Sequence, residues 1–138
     1  MEGREVQSSL KLVRRHYTAF SCGDIDGLVA GLDPGVAITV HDEHGVLYGE
    51  PIRGREAART FFEGISAAVT HSSVEVSSLR ADGNRVLAQV TIGGTLRASG
   101  RTGAIPAIHL FTIYDGLITE IRTHRPDWRG DEAGSFSD

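Results

Sequence analysis

Residues 23–28, Gly23-Asp24-Ile25-Asp26-Gly27-Leu28, decide how the chain begins to fold. Gly23 supplies the left-handed residue that ends a helix, and Asp24 offers its carboxylate to the open amides of the next one. A helix should therefore lie on each side. Upstream, Val6, Leu10, Val13, Tyr17 and Phe20 recur at spacings of three and four, with Arg14 and Arg15 off that stripe. This predicts an amphipathic helix over residues 5–21. Downstream, Ile25, Leu28, Val29 and Leu32 predict a short helix over 25–32, stopped by Pro34-Gly35.

Further along, residues 36–42 alternate as a strand, with Val36, Ile38, Val40 and Asp42 on one face and Ala37, Thr39 and His41 on the other. Glu43 to Gly54 is polar and Gly-rich and reads as a loop. A third helix is predicted over 55–69, carrying Ala58, Phe61, Phe62, Ile65 and Val69. The second half is β-rich, with runs at 71–81, 85–98, 103–114 and 117–125. Asp82-Gly83-Asn84 and Tyr114-Asp115-Gly116 are hairpin turns, and 99–103 is a looser one. Gly93-Gly94 in mid-strand predicts a bulge or a sharp bend. His109, Phe111 and Ile113 share an apolar inward face, whereas Ile118, Glu120, Arg122 and His124 form a mixed face on the last strand, read mainly as solvated. His41, His44 and His71 read as surface or loop residues. Helices first and meandering strands after them give an α+β fold. In it, three N-terminal helices pack on a strongly curved, mostly antiparallel sheet that encloses one pocket, a cone-like roll. Residues 1–127 would form this single domain, and 128–138 a polar, flexible tail.

Composition narrows the function. The chain has 138 residues, 40% hydrophobic and 23% charged, which suits one globular core. Net charge is −4 and no Lys/Arg stripe stands out, so no nucleic-acid partner is expected. Cys22 is the single cysteine, which excludes an intrachain disulfide and fits a reducing, cytoplasmic setting. The charged N-terminus does not read as a signal peptide, and no segment approaches the roughly 20 apolar residues of a membrane span. The histidines match no metal-binding spacing, and no Gly-rich phosphate loop or nucleophile elbow is present. No metal and no cofactor is expected. What remains is cofactor-free acid/base chemistry.

Taken in order, the helix, Gly23-Asp24-Ile25-Asp26-Gly27-Leu28, the short helix, the strand, Arg53-Gly54-Arg55-Glu56-Ala57, the third helix and the meander resemble the nuclear-transport-factor-2-like superfamily. Within it the pattern is similar to the ketosteroid isomerase and SnoaL-like polyketide cyclase branches, over roughly residues 8–127. The resemblance places Asp42, after Thr39-Val40-His41, at the position of the isomerases' catalytic base. It places His109, in Ile108-His109-Leu110-Phe111, where those enzymes carry a protonated aspartate in the oxyanion hole. Their oxyanion tyrosine matches His16, one residue from Tyr17. Such a fold hosts isomerases, cyclases, dehydratases, epoxide hydrolases and plain binding proteins, so it does not choose a reaction.

The chemistry of these groups agrees with a pocket role. A carboxylate at the end of the apolar face Val36, Ile38 and Val40 would be desolvated, which raises its pKa and makes it a better base near neutrality. Asp42 could alternatively cap the turn that follows it. His109 could donate to a developing oxyanion or orient Asp42, since a neutral imidazole has one donor and one acceptor. Tyr17 is core or a pocket donor, and His16 is its rival. Val40, Phe61, Phe111, His124 and Trp128 are the candidate substrate-binding residues. The expectation is an enzyme that isomerises or cyclises a hydrophobic oxygenated small molecule, of polyketide, terpenoid or steroid-like character, by proton transfer. Epoxide opening, dehydration and non-catalytic binding in the same pocket stand as alternatives. A homodimer is expected, because an open curved sheet needs its outer face covered.

Overall fold

The computed structural model describes residues 2–41, 47 and 49–124, with side chains from Val6 onward. Asp42, His44, Trp128 and the tail expected at 128–138 lie outside the described residues.

Helix α1 (Glu2–Cys22) closes as its sequence predicts. Gly23 adopts φ +70, its amide donates to the Phe20 carbonyl, and the Asp24 amide reaches back to Ala19. These two bonds satisfy carbonyls that the last turn would otherwise leave open. Asp24 then caps α2 (Ile25–Ala30), its carboxylate accepting from the Gly27 amide at 3.0 Å. A Cβ at position 27 would overlap that carboxylate, so glycine is required for this close approach. Leu28 and Val29 bury the short helix, which α1 and the helix over 55–68 flank.

Strand β1 (Leu32–His41) starts earlier than the Pro34-Gly35 pair suggests. Leu32 already pairs with Ile118, and the register shifts before Ala37 pairs with Glu120. Pro34 and Gly35 sit exposed inside that irregularity, where a residue without a ladder amide is tolerated. The expected 43–54 loop also contains a two-residue strand, β2 (Ile52–Arg53), paired antiparallel to β1. Helix α3 (Arg55–Ala68) follows Gly54, whose φ of +88 suits glycine.

The meander is β3 (Val69–Asp82), β4 (Arg85–Leu96), β5 (Thr102–Tyr114) and β6 (Leu117–His124). The six strands form one open sheet in the order β2-β1-β6-β5-β4-β3. Among the described residues only the β1–β6 pair is parallel. The N-terminal helices pack on its inner face over a core that includes Val13, Leu28, Val36, Phe62, Phe111 and Ile118. Among the described residues no helix is long and apolar enough to cross a membrane.

Two bulges shape the inner face. In β3 the register shifts between Thr70 and Ser73, opposite Gly93–Thr95, and His71 takes φ 56. This is the irregularity that Gly93-Gly94 predicts. A Cβ at Gly94 would overlap Val69 Cγ1, so the bulged strand can press against β4 only because position 94 has no side chain. In β6 the register shifts so that Ile113 faces Ile118 while Thr112 faces Glu120. Ile118 and Ile121 therefore both turn inward and are buried, which corrects the simple alternation that groups Ile118 with Glu120, Arg122 and His124. The extra residue flips the parity of the strand.

Candidate functional site

The inner face of the sheet, α1 and α3 enclose a cavity of about 230 Å³. Its wall is apolar: Phe20 from α1, Phe61 and Ile65 from α3, Val40 from β1, and Ile92 and Ile105 from β4 and β5. The described lining residues include no Lys, Arg, Asp or Glu. The polar side chains are those of His16, His109, Ser72 and Thr123. A wall of this kind favours an apolar ligand body held by a few directed hydrogen bonds.

His16 and Tyr17 are neighbours on α1, yet they do different things. The His16 ring lines the cavity and lies edge-on to Phe62 and Phe111, at centroid distances of 5.9 and 5.4 Å. Its Nδ1 is buried and has no hydrogen-bond partner among the described residues. Burial, and secondarily the nearby His109, lower its pKa to about 3, so the ring stays neutral in ordinary buffers. Tyr17 is buried behind the wall instead, and its hydroxyl shares a 2.6 Å hydrogen bond with His109 Nδ1. Burial raises the phenol pKa, which keeps its proton in place.

His109 sits in mid-β5, between Ala88 of β4 and Thr123 of β6. It is 8% exposed and part of the cavity lining. Its ring stacks on Tyr17 at 5.8 Å with an interplanar angle of 25°. Phe111, fully buried two residues on, packs edge-on to His16, Tyr17 and His109. It supports the imidazoles from below and does not itself line the cavity. The aromatic platform fixes three rings at once, because each has an edge or a face against another.

The structure thus brings His16, Tyr17 and His109 together, with Val40 and Phe61 in the cavity wall. It does not bring His124 to them. His124 pairs with Ile108 on the outer face of the sheet and stacks on His41 at 5.0 Å. Its pKa is lowered by burial, then by His41 and Arg122. His41 is 8% exposed, not a surface residue as its polarity suggests, and its Nε2 shares a 3.0 Å hydrogen bond with Thr39 Oγ1. His71 is exposed, as read from the sequence. Asp42 and Trp128, outside the described residues, are not placed.

Several lining residues escape sequence reasoning. Ile105 and Ala107 share the parity of His109 and could have been found by extending its alternation backward along β5. Ser72 could not, because the bulge at 71–72 resets the faces of β3.

The profile of the SnoaL-like domain family matches residues 13–121. No curated protein matches the sequence. Among solved structures, the chain is similar to a proposed polyketide cyclase from Xanthomonas campestris pv. campestris, with 24% identity and a TM-score of 0.77 over 87% of this chain and 91% of the other. It is also similar to an epoxide hydrolase from M. tuberculosis, with 21% identity and a TM-score of 0.72, covering 88% and 84% of the two chains. A protein with a ketosteroid isomerase-like fold from Catenulispora acidiphila, solved with trimethylamine, aligns at 17% identity and TM-score 0.73 over 90% and 92%. At these identities the likeness is one of fold.

Proposed function

This chain belongs to the SnoaL-like domain family, and we propose that its cavity is the active site of a cofactor-independent enzyme that isomerises or cyclises a hydrophobic, oxygenated small molecule by proton transfer. The observation that carries this reading is the Tyr17–His109 hydrogen bond at the edge of a cavity whose described lining is mainly apolar. With the Tyr17 hydroxyl donating to Nδ1, the neutral imidazole carries its proton on Nε2 and becomes a donor of defined direction. Such a donor suits a carbonyl whose oxygen gains charge in the transition state, because it stands in place before the charge develops.

Asp42 is the proposed base. Ile38 and Val40 line the cavity, and Asp42 follows Val40 by one strand repeat in sequence. The carboxylate would take a proton from the carbon beside the carbonyl. His109, steadied by Tyr17, would hold the resulting enolate oxygen. The proton would then return to another carbon of the same conjugated system; alternatively the enolate carbon would attack a second carbonyl carbon of the same molecule, closing a ring as that C=O π bond opens to an alkoxide, which takes the proton back from Asp42. His16, neutral down to low pH, would serve as a hydrogen-bond donor and not as a proton reservoir. A dimer formed over the outer sheet face, where Leu87 is exposed, and a cytoplasmic setting remain parts of this reading.

The test is conversion of small β,γ-unsaturated ketones to conjugated enones, followed by ultraviolet absorbance. Asp42→Asn should lower kcat by about 10²–10⁴-fold, the usual contribution of a general base. Turnover within twofold of the parent would remove Asp42 from the base role.

A further inference from the structure

The cavity has a second polar point that the acid/base reading leaves unused. His16, His109 and Thr123 cluster where β5 and β6 pair, and from there the floor along β5 is Ala107 and then Ile105. Four residues separate His109 from Ile105, about 13 Å of extended strand. Beyond Ile105 the polar lining resumes at Ser72, which the β3 bulge turns into the cavity. The bulge is held in place locally. His71 holds a positive φ beside Ser72, and position 94 opposite tolerates no Cβ.

Ser72 is half-buried, and its hydroxyl makes no hydrogen bond to another described residue. It also borders a crevice of about 20 Å³ shared with Phe20, Ile65 and Ser66, room for one water. A hydroxyl delivered by a strained bulge into an apolar wall, with no hydrogen-bond partner among the described residues, is poised for a ligand atom. A ligand oxygen placed there would gain a directed hydrogen bond from an otherwise apolar stretch of wall.

We infer that Ser72 is a specificity-determining residue: it hydrogen-bonds a second oxygen of the ligand, at the far end of the cavity from His109. The ligand is then an uncharged, elongated molecule with a hydroxyl or carbonyl at each end of an apolar body. The absence of charged side chains from the described lining fits this, since an ionised ligand would lie unpaired in an apolar wall. The inference rests on the proposed binding of an oxygen at His109.

The experiment is a fluorescence titration with two probes, 2-naphthol, with one oxygen, and naphthalene-2,6-diol, with one at each end. The parent protein should bind the diol about three- to tenfold tighter, the yield of one neutral hydrogen bond. Ser72→Ala, and separately the near-isosteric Ser72→Cys, should bring the ratio of the two dissociation constants to about one. A parent protein with no preference for the diol, or a variant that keeps the preference, overturns the inference, and the parent ratio decides alone if neither variant folds. His109→Gln distinguishes the underlying reading. If it leaves 2-naphthol binding unchanged, or if 2-naphthol does not bind at all, the proposed role of His109 falls and the inference falls with it. If 2-naphthol binding depends on His109 but the ratio is flat, only Ser72 loses its role.

Discussion

Acid should loosen this protein at His16, and His16→Met should remove part of that sensitivity. The ring is buried, its Nδ1 lacks a partner, and its pKa falls from 6.5 to about 3, chiefly through burial. Because the folded value lies below the unfolded one, the unfolded chain binds a proton that the folded chain refuses. The contribution is therefore complete above pH 6.5 and is lost as pH drops through the window toward 3. Between about pH 7.5 and about pH 5 this single site should cost about 2 kcal/mol. Methionine fills a similar volume against Phe62 and Phe111 and has nothing to protonate in that range. Urea unfolding of both proteins at the two pH values measures the difference, and titrating groups not coupled to His16 cancel between them. The parent midpoint should fall by about 1 M more than that of the variant, for a urea slope of about 2 kcal/mol per M. Equal losses, to within about 0.5 kcal/mol, would refute the argument that burial keeps His16 neutral.

Tyr17→Phe deletes the hydroxyl bonded to His109 and leaves Nδ1 without that partner, so it should destabilise by about 1–3 kcal/mol. Calorimetry should show a melting temperature lower by roughly 4 °C for each kcal/mol in a chain of this size. Gly94→Ala should cost about 1–3 kcal/mol by driving a methyl group into Val69, read as the shift of a chemical denaturation midpoint.

Local chemistry made the helices and the hairpins legible. Gly23 and Asp24 act through bonds to their immediate neighbours, and Asp82-Gly83-Asn84 needs nothing beyond its own dihedral preferences. Of the polar groups around the cavity, two were legible as candidates, though not their bond to one another. His109 and Tyr17 stand out as polar atoms on apolar stripes, and burial then forces the two to find partners, here one another. Faces beyond a bulge were not legible. The extra residue in β6 separated His124 from Ile118, and the one in β3 delivered Ser72, because a register shift depends on the strand opposite. The burial of His41 was hidden for a related reason. Its stacking partner, His124, is 83 positions away and reaches it through the parallel β1–β6 pairing.

The bulged strand has one more consequence, for life in a crowded solution. β3 is the outer strand of the sheet and runs for 14 residues, long enough for an unbroken edge to recruit a strand from another molecule. Its ladder is interrupted twice, between Thr70 and Ser73 and again between Val76 and Ser78, so its regular stretches are short. An incoming strand would meet a kinked template and could match only part of it. The distortion that turns Ser72 into the cavity therefore also leaves the open flank of the sheet a poor template for a strand from another molecule.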